Sequence, residues 1–429
     1  MSAATDTRRP RTAADRLGLP GLRGHGLFIT GNLIDSVGNG MLLPLGLLYF
    51  TDVQGLPLAR VGAAMTVGQA LALPVTFLAG RLMDRVGPKR VVVWANILSA
   101  AGFALFLLAR EPSHVAGVYL LVQAGINMYF TAQRTLITHV TEAGERRSWF
   151  AFTGSLRNIG LAAGSAAAAG ALTVFGNGSL RWMIAVDAAT YLLAAACFAA
   201  LTTTPPEPDG TPPGALVTRA DHTRRYLLLV AVNIPYVLAQ AALAVLVAVY
   251  TTRALGLPAS AASLLFVINT VIVSVCSTAV TAHVAPKVPR RAVTAGYLIM
   301  AVGMWAFALP ALPALPALPA LPTPPGAASA AWAALVVAIV LFSVAEILLG
   351  PALSELSVSL TPQAAGGFTQ GLYQFSWAGG MVAAPALFTL LLEAGPLLPW
   401  AVEAAACLIA VLAAPALKAP NRHRRRNPR

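Results

Sequence analysis

Asp35, Arg134, Arg157 and Glu346 each interrupt a stretch of about twenty otherwise apolar residues, long enough to cross a bilayer. A charge in hydrocarbon is costly, so such residues pair with one another or bind something, a proton above all. Asp35 lies about eight residues in from the nearest basic segment, and Arg134 and Arg157 lie at similar distances in their own stretches. At the helical rise the three share one depth, about 10–12 Å, so a neutralising cluster of the three is expected. Two readings stay open. In one, Asp35 is a proton acceptor whose charge is opposed by burial and favoured by an arginine, and protonation frees the arginine. In the other, acid and arginine form a permanent structural ion pair. Glu346, about nine residues in, could take a second proton or a cationic compound, or stay neutral by packing or by bonding Ser343. Asp187 and Glu403, near the ends of their stretches, read as structural.

The elements that position these residues follow from composition. Of 429 residues, 57% are hydrophobic and 10% charged, more apolar surface than one soluble core can hide but a fit for lipid. Apolar stretches recur near 27–50, 59–82, 90–109, 115–139, 149–174 and 182–203, then near 226–251, 259–284, 292–310, 329–353, 367–392 and 399–417. Twelve transmembrane helices are expected, an all-α integral membrane protein. The net charge of +13 gathers in short loops, with no aromatic-interleaved basic domain, so the partner is the lipid bilayer and not nucleic acid. Cys197, Cys276 and Cys407 sit inside apolar stretches with no metal-ligand spacing.

Basic residues mark one side: the leader, Arg81 to Arg90, Arg146/Arg147, Arg219 to Arg225, Lys287 to Arg291 and the tail from Lys418. By the inside-positive rule both termini are cytoplasmic. The domain reading is a basic segment 1–25, a six-helix bundle 26–203, a polar Pro-rich linker 204–225, a second bundle 226–418 and a basic tail 419–429. An Ala-Leu-Pro unit repeated five times over Ala308–Pro322 reads as a stiff external loop.

The halves repeat. At an offset of 201 positions Asn32 meets Asn233, Tyr49 meets Tyr250, Gly55-Leu56-Pro57 meets Gly256-Leu257-Pro258, and Gly102 meets Gly303. Two parallel six-helix repeats are what rocking about a central site requires. The charges do not repeat: Tyr236 stands at the place of Asp35 and Ala285 at that of Asp84.

Between the second and third stretches stands Gly80-Arg-Leu-Met-Asp84-Arg85-Val-Gly87-Pro-Lys89-Arg90. This resembles the signature loop of the major facilitator superfamily, and span count, topology and repeat extend the resemblance from about residue 25 to 418. The resemblance implies two pseudo-symmetric six-helix bundles and alternating access. It implies that Gly80 permits close packing, that Gly87 makes a tight turn, and that Asp84 meets the N-terminus of span eleven, with Arg85 or Arg81 as ionic partner, to latch the cytoplasmic side.

Within that resemblance, spans one and four line the cavity, where Asn32, Gln123, Asn127, Tyr129, Asn233, Tyr236, Gln240, Tyr373 and Trp377 would meet a small amphipathic organic substrate. No phosphate loop, zinc motif or hydrolytic triad is present in the sequence, so the chain reads as no enzyme. The proton gradient is the expected energy source, with no cofactor. The chain is similar to the twelve-helix drug:proton antiporter branch, which implies multidrug efflux by a monomer in the cytoplasmic membrane of a bacterium. The expected pattern of that branch's span five is incomplete, since Gly154, Gly160 and Gly164 lack the accompanying proline. An importer or facilitator of a small metabolite is the alternative, and a non-transporting sensor a further one.

Overall fold

Lipid offers no water to satisfy a backbone, so apolar stretches of this length must be helical. The computed structural model describes residues 17–142, 144–203, 219–257, 259–312, 325–361 and 366–417, and every regular element among them is helical. The first six are α1 Gly26–Leu48, α2 Leu58–Val86 (broken between Leu71 and Val75), α3 Pro88–Phe106, α4 Pro112–Val140, α5 Arg146–Phe175 and α6 Leu180–Ala199. The second six are α7 Arg219–Ala241, continued to Ala254, then α8 Ala259–His283, α9 Pro289–Ala308, α10 Pro325–Ser359, α11 Gly366–Ala394 and α12 Leu398–Ala413. Eleven of these are long and apolar enough to cross a membrane. The twelfth, α1, has 23 residues, about 35 Å at the helical rise. The basic leader to residue 16, most of the 204–225 linker, the Ala-Leu-Pro repeat beyond Leu312 and the tail from 418 lie outside the described residues.

Side-chain polarity is arranged for lipid. Trp182, Val275, Leu408 and Leu412 are exposed, whereas Asn32, Asp35, Asn96, Asp187, Asn233 and Gln370 are buried. Polar groups face inward because only other protein groups can satisfy them there.

The repeat is written in backbone detail. Tyr49–Val53 and Tyr250–Ala254 are both π-helical turns. In each, the turn closes with an amide bond back to the tyrosine carbonyl, from Gln54 and Leu255, both at 3.1 Å. Gly55 and Gly256 then adopt φ +68° and +65°, which suits glycine, and Pro follows two residues later. Helix pairing repeats too: α3 packs on α4 and α6 as α9 packs on α10 and α12, and α1 packs on α5 as α7 does on α11.

The two bundles meet through α2 with α11 and through α5 with α8 and α10. The contact is lopsided. Val75–Val86 of α2 packs along α11, while Leu58–Leu71 scarcely touches it. The packed end lies on the face that carries Arg81 to Arg90. Gly18 abuts Thr278 and Ala282 there, and Arg290 reaches the Pro415 carbonyl at 3.5 Å. We call this the basic face; the molecule is closed on it and parted toward the other.

Candidate functional site

Closure of the basic face starts from two glycines. A Cβ on Gly80 would overlap the Gly367 carbonyl, and one on Gly367 would overlap that of Gly80. Only this approach lets Asp84 Oδ1 accept from the Gly367 amide at 2.7 Å. That amide is one of the unpaired donors opening α11, where the helix dipole also favours an anion. Gly87, at φ +85°, ends α2 and lets Pro88 open α3. The expected ionic partner is a correction: among the described residues neither Arg81 nor Arg85 pairs with Asp84, and both point to the exterior. Lys89 Nζ donates to the Leu201 carbonyl at 2.6 Å, tying this turn to the end of α6, while Arg90 is exposed.

A second tie was not foreseen. Arg147, on the first turn of α5, donates from Nη1 to the Pro286 carbonyl at 2.5 Å. Its Nε lies 3.7 Å from Glu355 Oε2 on α10, and both side chains are largely buried. The α8–α9 loop has Ala285 where Asp84 stands in the first half. The polarity is thus reversed: the arginine comes from the opposing helix and the loop supplies an acceptor. Both residues sit near helix ends, where sequence reading takes a charge for a loop signal.

Arg134 leaves the expected three-charge cluster. Its Nε donates to Gln370 Oε1 at 3.3 Å and its Nη2 to Gln374 Oε1 at 3.0 Å, with the guanidinium 4.7 Å from the Tyr373 ring centroid. All three partners are on α11, so Arg134 joins the bundles just inside the Asp84 contact. Phe77 of α2 packs between Phe368 and Phe375 of the same helix, at 5.6 and 5.3 Å.

Arg157 keeps its place beside Asp35. It is accessible from the space between the bundles, 4.6 Å from the Phe130 ring centroid, and within electrostatic reach of Asp35 on α1, Tyr129 on α4, Tyr236 on α7 and Glu346 on α10. One guanidinium therefore stands between an acid of each half. Asp35 Oδ2 accepts from Asn39 Nδ2 at 3.3 Å. Tyr129 also faces Asp35, but its hydroxyl proton goes to Asn32 Oδ1 at 2.8 Å. The same hydroxyl can instead donate to the ionised Asp35 carboxylate. Glu346 Oε2 accepts from Asn269 Nδ2 at 2.9 Å, and that amide, not Glu346, meets Ser343, at 3.1 Å.

The remaining expected cavity residues divide in two. Asn32 collects Tyr129 and Gln133, and its repeat mate Asn233 collects Tyr373 and Ser376, at 2.9 and 3.0 Å. Tyr236 meets Trp377 edge-on at 5.5 Å and accepts from Gln240 at 3.2 Å. Gln123 is half-buried on α4. Asn127 instead donates to the Ala72 carbonyl at 3.1 Å, satisfying the break in α2, a structural duty.

Comparison with known proteins places the whole. The sequence profile of the Major Facilitator Superfamily matches residues 28–325. The chain is 26% identical over 163 residues to the uncharacterized MFS-type transporter YhjO of Bacillus subtilis (strain 168), covering 38% of this chain and 40% of that one. It is 29% identical over 119 residues to the multidrug resistance protein MdtH of Edwardsiella ictaluri (strain 93-146), covering 28% of this chain and 30% of that one. The matched segments thus span less than half of either curated relative. Among solved structures, the MFS transporter FucP in its outward conformation superposes with a TM-score of 0.67 at 15% identity, covering 92% of this chain and 98% of that one. Profile, topology and repeat agree: the chain belongs to the major facilitator superfamily.

Proposed function

We propose that the protein exports small amphipathic organic compounds in exchange for protons, by alternating access, with its basic face toward the cytoplasm of a bacterial cell and the proton gradient as its energy source. The carrying observation is Arg157, placed between Asp35 and Glu346 from opposite halves. A proton on Asp35 leaves Arg157 to Glu346; loss of that proton draws Arg157 back to α1. Each proton thus changes which half the guanidinium binds, and that differential contact is what couples a ligand to a conformational equilibrium. Tyr236, Trp377, Gln240 and the Asn32 and Asn233 groups wall the space beside it with aromatic and amide surface, chemistry suited to an amphipathic compound. The partial likeness to a multidrug resistance protein supports the direction of transport. The transporter acts as a monomer in this reading.

Everted membrane vesicles with an acidified lumen test it. Lipophilic cations and neutral antibiotics are added while a dye follows the pH gradient. At least one compound collapses the gradient with the native protein and not with Asp35→Asn. If none does so with folded protein in the membrane, export coupled to protons is wrong. Uptake of labelled metabolites by intact cells, unchanged in Asp35→Asn, would then point to an importer.

A further inference from the structure

The interior of the first bundle holds polar groups that the central charges do not explain. Between α1, α3, α4 and α6 runs a void too narrow for a water molecule, bordered by Asp35, Asn39, Asn96, Ser99, Tyr129 and Tyr191. Asp187, one turn from Tyr191 on α6, is wholly buried. Gly38 of α1 presses on this acid: a Cβ there would come within 2.6 Å of both Asp187 Oδ1 and Thr190 Oγ1. Thr190 Oγ1 lies 3.4 Å from Asp187 Oδ1. Asp187 Oδ2, Asn96 Oδ1 and Tyr191 Oη have no hydrogen-bond partner, although their side chains are at most 1% exposed.

This inventory is unbalanced. The amide of Asn96 already donates to the Val92 carbonyl at 2.9 Å, so its free oxygen can only accept, and ionised carboxylates can only accept. The titratable groups facing Asp187 are Asp35 on α1 and Tyr191 one turn along α6; Tyr129 on α4 and Arg157 on α5 face that pair; α3 contributes only Asn96 and Ser99. Arg157 is the one cation in this group and lies within electrostatic reach of Asp35. Even with the Tyr191 hydroxyl as one free donor, two buried acids and the Asn96 oxygen leave more acceptors than donors, and Asp187 Oδ2 has no partner, which calls for an added proton, since the void has no room for a hydrated ion. The second half offers a contrast. Ala185–Ala194 reads AVDAATYLLA and Ala401–Ala410 reads AVEAAACLIA, which aligns Asp187 with Glu403 and Tyr191 with Cys407. There the thiol lies 3.8 Å from Glu403 Oε1, and Tyr236 replaces the second acid.

We propose that Asp187 is a second proton-binding carboxyl of the first bundle, coupled to Asp35 across the Asn96–Tyr191 pocket. Each acid takes a proton by forming one O–H bond and releases it by breaking that bond. The protonated Asp187 no longer leaves a buried ionised oxygen without a partner. Its role as part of the transport cycle rests on the proton-coupled reading above; its protonation does not.

Infrared spectroscopy of the full chain in lipid nanodiscs, with aspartate carboxyls labelled by carbon-13, reads the acids directly without substrate or gradient. Of the eight labelled aspartates, the two whose bands are lost in Asp35→Asn and in Asp187→Asn are expected to show carboxylic-acid bands that fade in coupled steps as pH rises. Asp187→Asn removes one band and leaves Asp35 with a single simple titration. Tyr191→Phe keeps the ring on Phe103, 5.4 Å away, and shifts the Asp187 band, which serves should Asp187→Asn fail to fold. A spectrum unchanged by Asp187→Asn, or an Asp187 band that never fades, overturns the proposal. Loss of the bands when sodium chloride replaces choline chloride overturns it in favour of a metal cation. A fading Asp187 band in a protein that exports nothing would sink the export reading alone.

Discussion

Arg157 has no substitute, and that makes it the most informative single residue. It is the only cation in electrostatic reach of both Asp35 and Glu346 among the described residues. Without it the two acids lose the cation that both can reach, and protonation of one can no longer redirect it to the other. We expect Arg157→Ala to reduce proton-coupled exchange to background in the vesicle assay, with the protein still folded. Arg157→Lys keeps the charge but loses the planar contact with Phe130, worth about 0.5–1 kcal/mol, so it should retain a sizeable fraction of the activity. Arg134→Ala, by contrast, should leave the pH dependence of exchange unaltered, since its partners are Gln370, Gln374 and Tyr373 and no acid. A pH profile displaced by Arg134→Ala would contradict the separation of the two arginines. That separation was not legible beforehand. Counting residues gives the depth of a charge in the membrane, and all three charges share it; which side of its helix a charge faces is set by packing, which the count does not contain.

The α2–α11 contact turns on the absence of side chains at two positions. Gly80 and Gly367 touch through their backbones, and the Asp84 bond to the Gly367 amide depends on that approach. Overpacking there by Gly80→Val should cost about 1–3 kcal/mol, and Asp84→Asn should lose a charge-assisted bond of about 1.5–3 kcal/mol. Both penalties fall on the closed basic face alone, so each should raise the open fraction about fivefold or more. Alkylation of a cysteine introduced at Ser357, which is wholly buried near this contact, reads that fraction once Cys197, Cys276 and Cys407 are replaced. An alkylation rate unmoved by both changes would remove the latch from the closing machinery. This element was legible except for its ionic partner, because its chemistry lies in consecutive residues: the glycine that admits a neighbour, the acid one turn on, the glycine that turns the chain. The twelve spans and the internal repeat were legible for a like reason, apolar length and fixed offset being properties of the chain itself. The α5–α10 tie was not, because it joins residues 208 positions apart that the count assigns to loops.

At the scale of the molecule, the basic face is held by two ties of opposite polarity, one for each half. Asp84 of the first half accepts from α11, whereas Arg147 of α5 donates to the second-half loop at Pro286 and faces Glu355. A charge swap tells the two parts of the Arg147 tie apart. Arg147→Glu alone sets two acids against each other and leaves the Pro286 carbonyl without its donor. Adding Glu355→Arg restores the ion pair, but a glutamate at 147 cannot donate to that carbonyl. Distances between spin labels at Arg90 and Lys287 should therefore lengthen in the single variant and return only part of the way in the double. The ion pair is partly buried, so its share should be about 1 kcal/mol, a shift of roughly fivefold in the open fraction. Full return would assign the tie to the ion pair alone. No return would assign it to the hydrogen bond, and the reversed-polarity counterpart of the Asp84 latch would then be a backbone contact in which Glu355 only keeps the guanidinium in place.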